Sequence, residues 1–96
     1  MTVRTTEIYN KWFKKLKDEI AKANIIRRIE LIKSQNHFGD SKVVGESLYE
    51  LRIHYGAGYR IYYTIRKKEI VILLCGGDKG SQQNDITQAK KMAKEV

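Results

Sequence analysis

The spacing of apolar side chains changes along the chain from a helical period to a strand period, and that change divides the fold. Met1 to Thr5 is short and suits an edge strand anchored by Val3. Thr6 is placed to cap a helix, and Glu7 falls in its first turn, where a carboxylate meets the positive end of the helix dipole. Ile8, Trp12 and Leu16, with Phe13 beside them, form an apolar stripe at i, i+4 spacing. Helical spacing continues through Ile25, Ile29 and Ile32 almost to Asn36. One unbroken helix over 7–36 would be about 45 Å long, too long for a domain this small. A break near Lys17–Asp18, with Asp18 capping a second helix, predicts a helical hairpin whose stripes face each other and a sheet.

Gly39 and Asp40 end the helical part. From Leu48 to Tyr55 the side chains alternate: Tyr49, Leu51, Ile53 and Tyr55 take one face, and Leu48, Glu50, Arg52 and His54 the other. Gly56-Ala57-Gly58 reads as a turn. Tyr59 to Arg66 alternates again, with Tyr59, Ile61, Tyr63 and Ile65 opposite Arg60, Tyr62, Thr64 and Arg66. Ile70 to Cys75 is apolar throughout, as a strand covered on both faces should be. After Gly76-Gly77-Asp78-Lys79-Gly80, Ser81 is placed to cap a last helix that packs through Ile86, Ala89 and Ala93. The predicted order is a short strand, two helices, a three-stranded meander and a closing helix, which makes a compact α+β domain.

Composition narrows the class. The 96 residues make room for one domain, 1–96, and 42% hydrophobic residues supply its core. A single cysteine, Cys75, excludes a disulfide scaffold and points to a reducing compartment. The longest apolar run, Ile70 to Cys75, is far short of the ~20 residues needed to cross a bilayer, and the N-terminus lacks a signal-peptide stretch. The net charge of +8 is spread evenly: ten Lys and Arg against six Asp and Glu in residues 1–48, nine against five in the rest. A folded body of that charge attracts polyanions, although a solvated, solubilising surface has the same composition.

Strand parity places Arg52, His54, Arg60 and Tyr62 on one sheet face. Two guanidinium groups, an imidazole and a phenol can hold a phosphate and its sugar. A solvated face of mixed long side chains is the commoner arrangement. The glycine-rich Gly76–Gly80 segment precedes a helix, which suits an anion, but it lacks the spacing of a nucleotide-triphosphate loop. Cys75, in an apolar strand without a basic neighbour, reads as an inert core thiol. His37 suits a capping or surface role, and the two histidines and one cysteine are too dispersed for a metal site.

Several segments, taken together and in order, resemble the addiction-module killer proteins on the HigB-like side of the RelE/ParE toxin superfamily. They are Trp12-Phe13-x-x-Leu16-Lys17-Asp18, Phe38-Gly39-Asp40, Glu50-Leu51-Arg52-Ile53, Gly58-Tyr59-Arg60-Ile61-Tyr62-Tyr63, Leu73-Leu74-Cys75-Gly76-Gly77-Asp78-Lys79 and Gln83-x-Asp85-Ile86-x-x-Ala89. The resemblance implies a RelE-like, microbial-ribonuclease-like α+β domain, with a helical hairpin packed on an antiparallel β-meander and a C-terminal helix. It implies the toxin of a type II toxin-antitoxin module: a cytoplasmic, ribosome-dependent messenger-RNA endoribonuclease, bound by a cognate antitoxin in a hetero-oligomer and using no cofactor or metal. The chemistry implied is attack by a ribose 2′-hydroxyl on the adjacent phosphate. Arg60 matches the arginine that contacts the scissile phosphate, Lys79 the basic position after the strand, and Arg52 that of the preceding strand. His54 is the group on this face whose type titrates near neutrality, which makes it the candidate for proton transfer. Tyr62, Arg66 and Asp78 are expected to contact RNA, Tyr62 by positioning the nucleotide or stacking on a base. The ParE branch shares the strand motifs but poisons DNA gyrase, and it stands as the alternative.

Overall fold

The computed structural model describes residues 1–96 and consists of β1 (Thr2–Thr5), α1 (Glu7–Lys15), α2 (Glu19–Gln35), β2 (Ser41–Gly45), β3 (Leu48–Ile53), β4 (Tyr59–Arg66), β5 (Ile70–Gly77), a 3-10 turn (Lys79–Ser81) and α3 (Gln82–Glu95). Both predicted caps form. Thr6 Oγ1 accepts from Tyr9 N at 3.1 Å, and Asp18 Oδ1 accepts from Ile20 N and Ala21 N, both at 3.1 Å. The capping carboxylate and hydroxyl each satisfy N–H groups that a helix start leaves free. The second helix stops where Asn36 turns left-handed at φ 54°. Its N–H still reaches Ile32 O, so the last carbonyls are not stranded.

The sheet holds five strands in the order β1-β5-β4-β3-β2, with β1 parallel to β5 and the rest antiparallel. The meander therefore has four strands where the hydrophobic pattern predicts three. The additional one, β2, is an edge strand in which Lys42 and Val43 are exposed, so it carries none of the alternation that marks a half-buried strand. It is held by pairing with β3 and by Tyr63, whose hydroxyl meets Ser41 Oγ at 2.6 Å and whose ring is sandwiched between Phe38 and Tyr49.

Helices α1 and α2 cover one face of the sheet. There Tyr9, Ile25 and Ile32 bury against Leu51, Ile53, Ile61, Tyr63, Val71 and Leu73. Tyr9, and not Ile8 of the predicted stripe, is the buried residue of α1; Ile8 is 44% exposed. The stripe is rotated by one position because α1 lies against β5, which turns Tyr9, Trp12 and Phe13 inward. On the opposite face α3 packs Ala89 and Ala93 onto Leu48, Tyr62, Leu74 and Cys75. Small side chains let the helix approach closely enough to bury a tyrosine ring. A register shift between Tyr62 and Tyr63 in the β4–β5 ladder lets Leu74 and Cys75 both serve this second core.

Two glycines at the end of β5 are dictated by neighbours. A Cβ on Gly76 would enter the ring of Trp12, and one on Gly77 would enter the Asp85 carboxylate. The protein's own side chains fill the space that the sequence offers to an anion. Asp78, not Ser81, makes the capping contacts that follow: its Oδ1 accepts from Gly80 N at 2.8 Å and Ser81 N at 3.2 Å. The Ser81 hydroxyl instead donates to Asp85 Oδ2 at 2.5 Å.

Candidate active site

The candidate residues gather where the β3–β4 turn meets the end of β5. Arg52 and Arg60 are direct cross-strand partners, so they share a face and a register step. Gly56 and Gly58 turn the chain with φ of 58° and 73°, a conformation that costs glycine little. A Cβ on Gly58 would lie 3.6 Å from both Arg60 Nη1 and Lys79 Cβ, so Arg60 and Lys79 flank one turn. The backbone ties the two segments together, Lys79 N donating to Ala57 O at 3.4 Å.

Asp40 organises the second half of the site. Its Oδ1 accepts from Arg52 Nη2 at 2.9 Å and Nε at 3.2 Å, and its Oδ2 accepts from His54 Nε2. The hydrogen bonds from Arg52 first, and from His54 second, hold the Asp40 carboxyl below its ordinary range. A carboxylate only accepts, so His54 Nε2 carries a proton and Nδ1 is the nitrogen left to exchange one. Asp40 is itself placed by the backbone. Arg28 reaches from α2 to donate to Arg52 O at 2.7 Å, Phe38 O at 2.8 Å and Asp40 O at 3.2 Å. Burial lowers the Arg28 guanidinium from its usual value, with Asp40 acting the other way.

Glu50 lies two residues inward from Arg52 along β3, opposite Tyr62, and is fully buried. Its Oε2 accepts from the Tyr62 hydroxyl at 3.0 Å and from Gln82 Nε2 at 2.8 Å, and lies 3.6 Å from Arg60 Nε. Burial, with the Glu50 charge beside it, drives the Tyr62 phenol far above its ordinary range.

The structure thus brings Arg52, His54, Arg60 and Lys79 to one end of the sheet, sets Tyr62 and Arg66 apart from them, and engages Asp78 in a cap. Tyr62 shares their face but is buried beneath α3, where no base can stack on it. Arg66 ends β4, six residues beyond Arg60 and so about 20 Å away, and donates to Ala93 O of α3 and to Val96 O just past its end. Asp78 adjoins Lys79, but its carboxylate is occupied in capping the turn. Asp40 and Glu50 are the two site residues that the hydrophobic pattern does not single out. Their signal in the sequence is membership of the segments Phe38-Gly39-Asp40 and Glu50-Leu51-Arg52-Ile53 that carry the family resemblance. Cys75 is as inert as its surroundings suggest, burial pushing the thiol up to about 12. No group of three or more His, Cys, Asp or Glu side chains is arranged to hold a metal ion.

The model of the family called Phage derived protein Gp49-like (DUF891) matches residues 11–95, nearly the whole chain and every element of the site. The chain belongs to that family. This Gp49-like protein is 47% identical over 94 residues to an uncharacterized protein of Haemophilus influenzae, a match covering 98% of this chain and 94% of the relative. Its fold is that of the RelE toxins. An E. coli RelE mutant in the free state superposes with a TM-score of 0.71 at 18% identity, covering 94% of each chain. A chain of the RelB-RelE antitoxin-toxin complex from Methanococcus jannaschii gives 0.70 at 16% identity, covering 85% of this chain and 96% of that one. The intact E. coli RelBE toxin-antitoxin complex gives 0.66 at 16% identity over 80% of this chain and 94% of that one. The RelE-like α+β architecture implied by the sequence motifs is the architecture present.

Proposed function

We propose that this Gp49-like protein is the toxin of a type II toxin-antitoxin module and that it acts as a messenger-RNA endoribonuclease on the ribosome. The observation that carries the reading is the convergence of Arg52, Arg60 and Lys79, with an Asp40-held imidazole, at one end of a RelE-like sheet. In this reading the ribose 2′-oxygen bonds to the adjacent phosphorus while the bond from phosphorus to the 5′-oxygen breaks. The products are a 2′,3′-cyclic phosphate and a free 5′-hydroxyl. One proton leaves the 2′-hydroxyl and another reaches the departing oxygen; in this reading His54 Nδ1 moves one of them. The pentacoordinate phosphate carries more negative charge than the diester, so fixed guanidinium groups at Arg60 and Arg52, with the Lys79 ammonium, bind it more tightly than the ground state. Binding of the RNA chain itself draws on the +8 charge of the body.

The partner is an antitoxin that covers part of this surface in the cytoplasm; two of the RelE neighbours were solved together with an antitoxin. Co-expression with the cognate antitoxin is expected to yield a stable complex without toxicity. The deciding experiment is induction of the protein alone, with transcript 5′ ends mapped and DNA supercoiling assayed in parallel. New ends inside translated codons, with rapid arrest of translation, support the ribonuclease. Intact transcripts with accumulating DNA breaks would overturn it in favour of a gyrase poison.

A further inference from the structure

A carboxylate removed from water is costly unless it is paired, and replacing such a pair by apolar groups is often neutral or stabilising. Glu50 is 0% exposed, and it is one of only two polar or charged residues buried in the whole protein. Its Oε2 gathers the Tyr62 hydroxyl and the Gln82 amide, while its Oε1 is buried without a partner. The nearest cation, Arg60, turns its Nε edge toward this carboxylate at 3.6 Å, and that Nε is likewise buried without a hydrogen bond. Arg60 Nη1 points the other way, donating to Gly58 O at 2.9 Å in the turn beside Lys79. The guanidinium, whose side chain is 14% exposed, therefore lies between an interior carboxylate on its Nε edge and the Gly58 turn on its Nη edge.

We propose that Glu50 is the positioning residue of Arg60, holding the Nε edge of the guanidinium inward so that its Nη edge faces the phosphate. Tyr62 and Gln82 fix the carboxylate from strand β4 and helix α3, so the direction of Arg60 depends on α3 being docked. The inference rests on the proposed ribonuclease reading for its rate measurement only. The fork of a guanidinium binds phosphate oxygens in a set plane, and a displacement of about 1 Å at such a group can cost about a hundredfold in rate.

The test is a double-mutant cycle of Glu50→Gln and Arg60→Ala, read in three ways on folded protein. Single-turnover cleavage on programmed ribosomes is expected to fall about tenfold to a hundredfold in Glu50→Gln, with ribosome binding little changed, and to show no further loss when Glu50→Gln is added to Arg60→Ala. In thermal melts Arg60→Ala is expected to lower the midpoint by at least about 5 °C, because it strands a buried carboxylate, and adding Glu50→Gln is expected to restore part of that loss. The Arg60 Nε–H resonance, followed by NMR during titration with inorganic phosphate, is expected to move in the wild type and to lose its position and its response in Glu50→Gln. A merely structural glutamate would lower the midpoint and leave the rate and the Arg60 resonance of folded protein unchanged; that result overturns the proposal, as do additive rate losses in the cycle. Should Glu50→Gln fail to fold, Tyr62→Phe removes one hydrogen bond to Oε2 and keeps the ring. It is expected to give a smaller rate loss that also vanishes in the Arg60→Ala background, and an unaltered rate overturns the proposal. If the wild type cleaves no RNA, the ribonuclease reading falls, and the phosphate titration and the melts decide the role of Glu50 by themselves.

Discussion

Arg52 and Arg60 face each other across the β3–β4 ladder, two guanidinium groups on one register step. Like charges placed directly opposite cost stability, so the pair must be held apart or neutralised. Each arginine has a carboxylate of its own: Asp40 binds Arg52 along the sheet edge, and Glu50 lies behind Arg60 in the core. The two acids pair with the two cations separately, Asp40 with Arg52 at 2.9 Å and the buried Glu50 with Arg60 at 3.6 Å.

Loss of the Arg60 fork should therefore be felt mainly in the reaction. Arg60→Lys keeps a charge near Glu50 but loses the planar pair of donors. A drop of about a hundredfold in cleavage on programmed ribosomes, with a thermal midpoint close to wild type, is expected; losing one transition-state contact is worth about 3 kcal/mol. Wild-type rates in a folded Arg60→Lys protein would remove Arg60 from the site.

His54→Gln keeps a side chain able to reach Asp40 but cannot exchange a proton at Nδ1. Cleavage should fall by about a hundredfold or more. An unchanged cleavage rate in folded His54→Gln would assign the proton transfer elsewhere.

Asp40 links the site to acid stability. Its carboxyl is held below the ordinary range in the folded protein by Arg52 and His54, so on acidification the unfolded chain takes up this proton first. The stabilisation is complete above the ordinary carboxylate value, about pH 4, and is lost as the pH falls through the lower folded value. Thermal midpoints measured from pH 7 down to pH 2 should therefore fall less steeply in Asp40→Asn than in the wild type. A parallel pair of curves would show that the contact does not persist in solution.

Gly76→Ala should be destabilising out of proportion to its size, because the new methyl group enters the ring of Trp12. Overpacking of this kind costs about 1–3 kcal/mol, which lowers the midpoint of a domain this small by roughly 5–20 °C. Trp12→Leu in the same chain should recover part of the loss; no recovery would place the cause elsewhere.

Local chemistry was enough to read the starts of α1 and α2. Thr6 and Asp18 are caps by virtue of their own side chains and their immediate neighbours, and the structure shows both in place. Parity was enough to put Arg52 and Arg60 on one face, because successive strand residues point to opposite sides whatever the sheet packs against, whereas His54 lies just past β3 and reaches the site through Asp40. Which parts of that face stay open is a different matter. Tyr62 and Glu50 have the same parity as Arg60, but they are fully buried while the Arg60 side chain keeps 14% of its surface exposed, and only docking the last 14-residue helix on the sheet decides this. The strand Ser41–Gly45 was unreadable for a related reason: an exposed edge has no apolar alternation, and its pairing with β3 exists only once the sheet does. Arg66 follows from distance, since equal parity says nothing about which end of a strand a residue occupies. Side-chain type and spacing determine elements and faces; the burial of Glu50, the placing of Asp40 between Arg52 and His54, and the meeting of Arg60 with Lys79 depend on contacts between residues remote in the chain, which only the tertiary structure brings together.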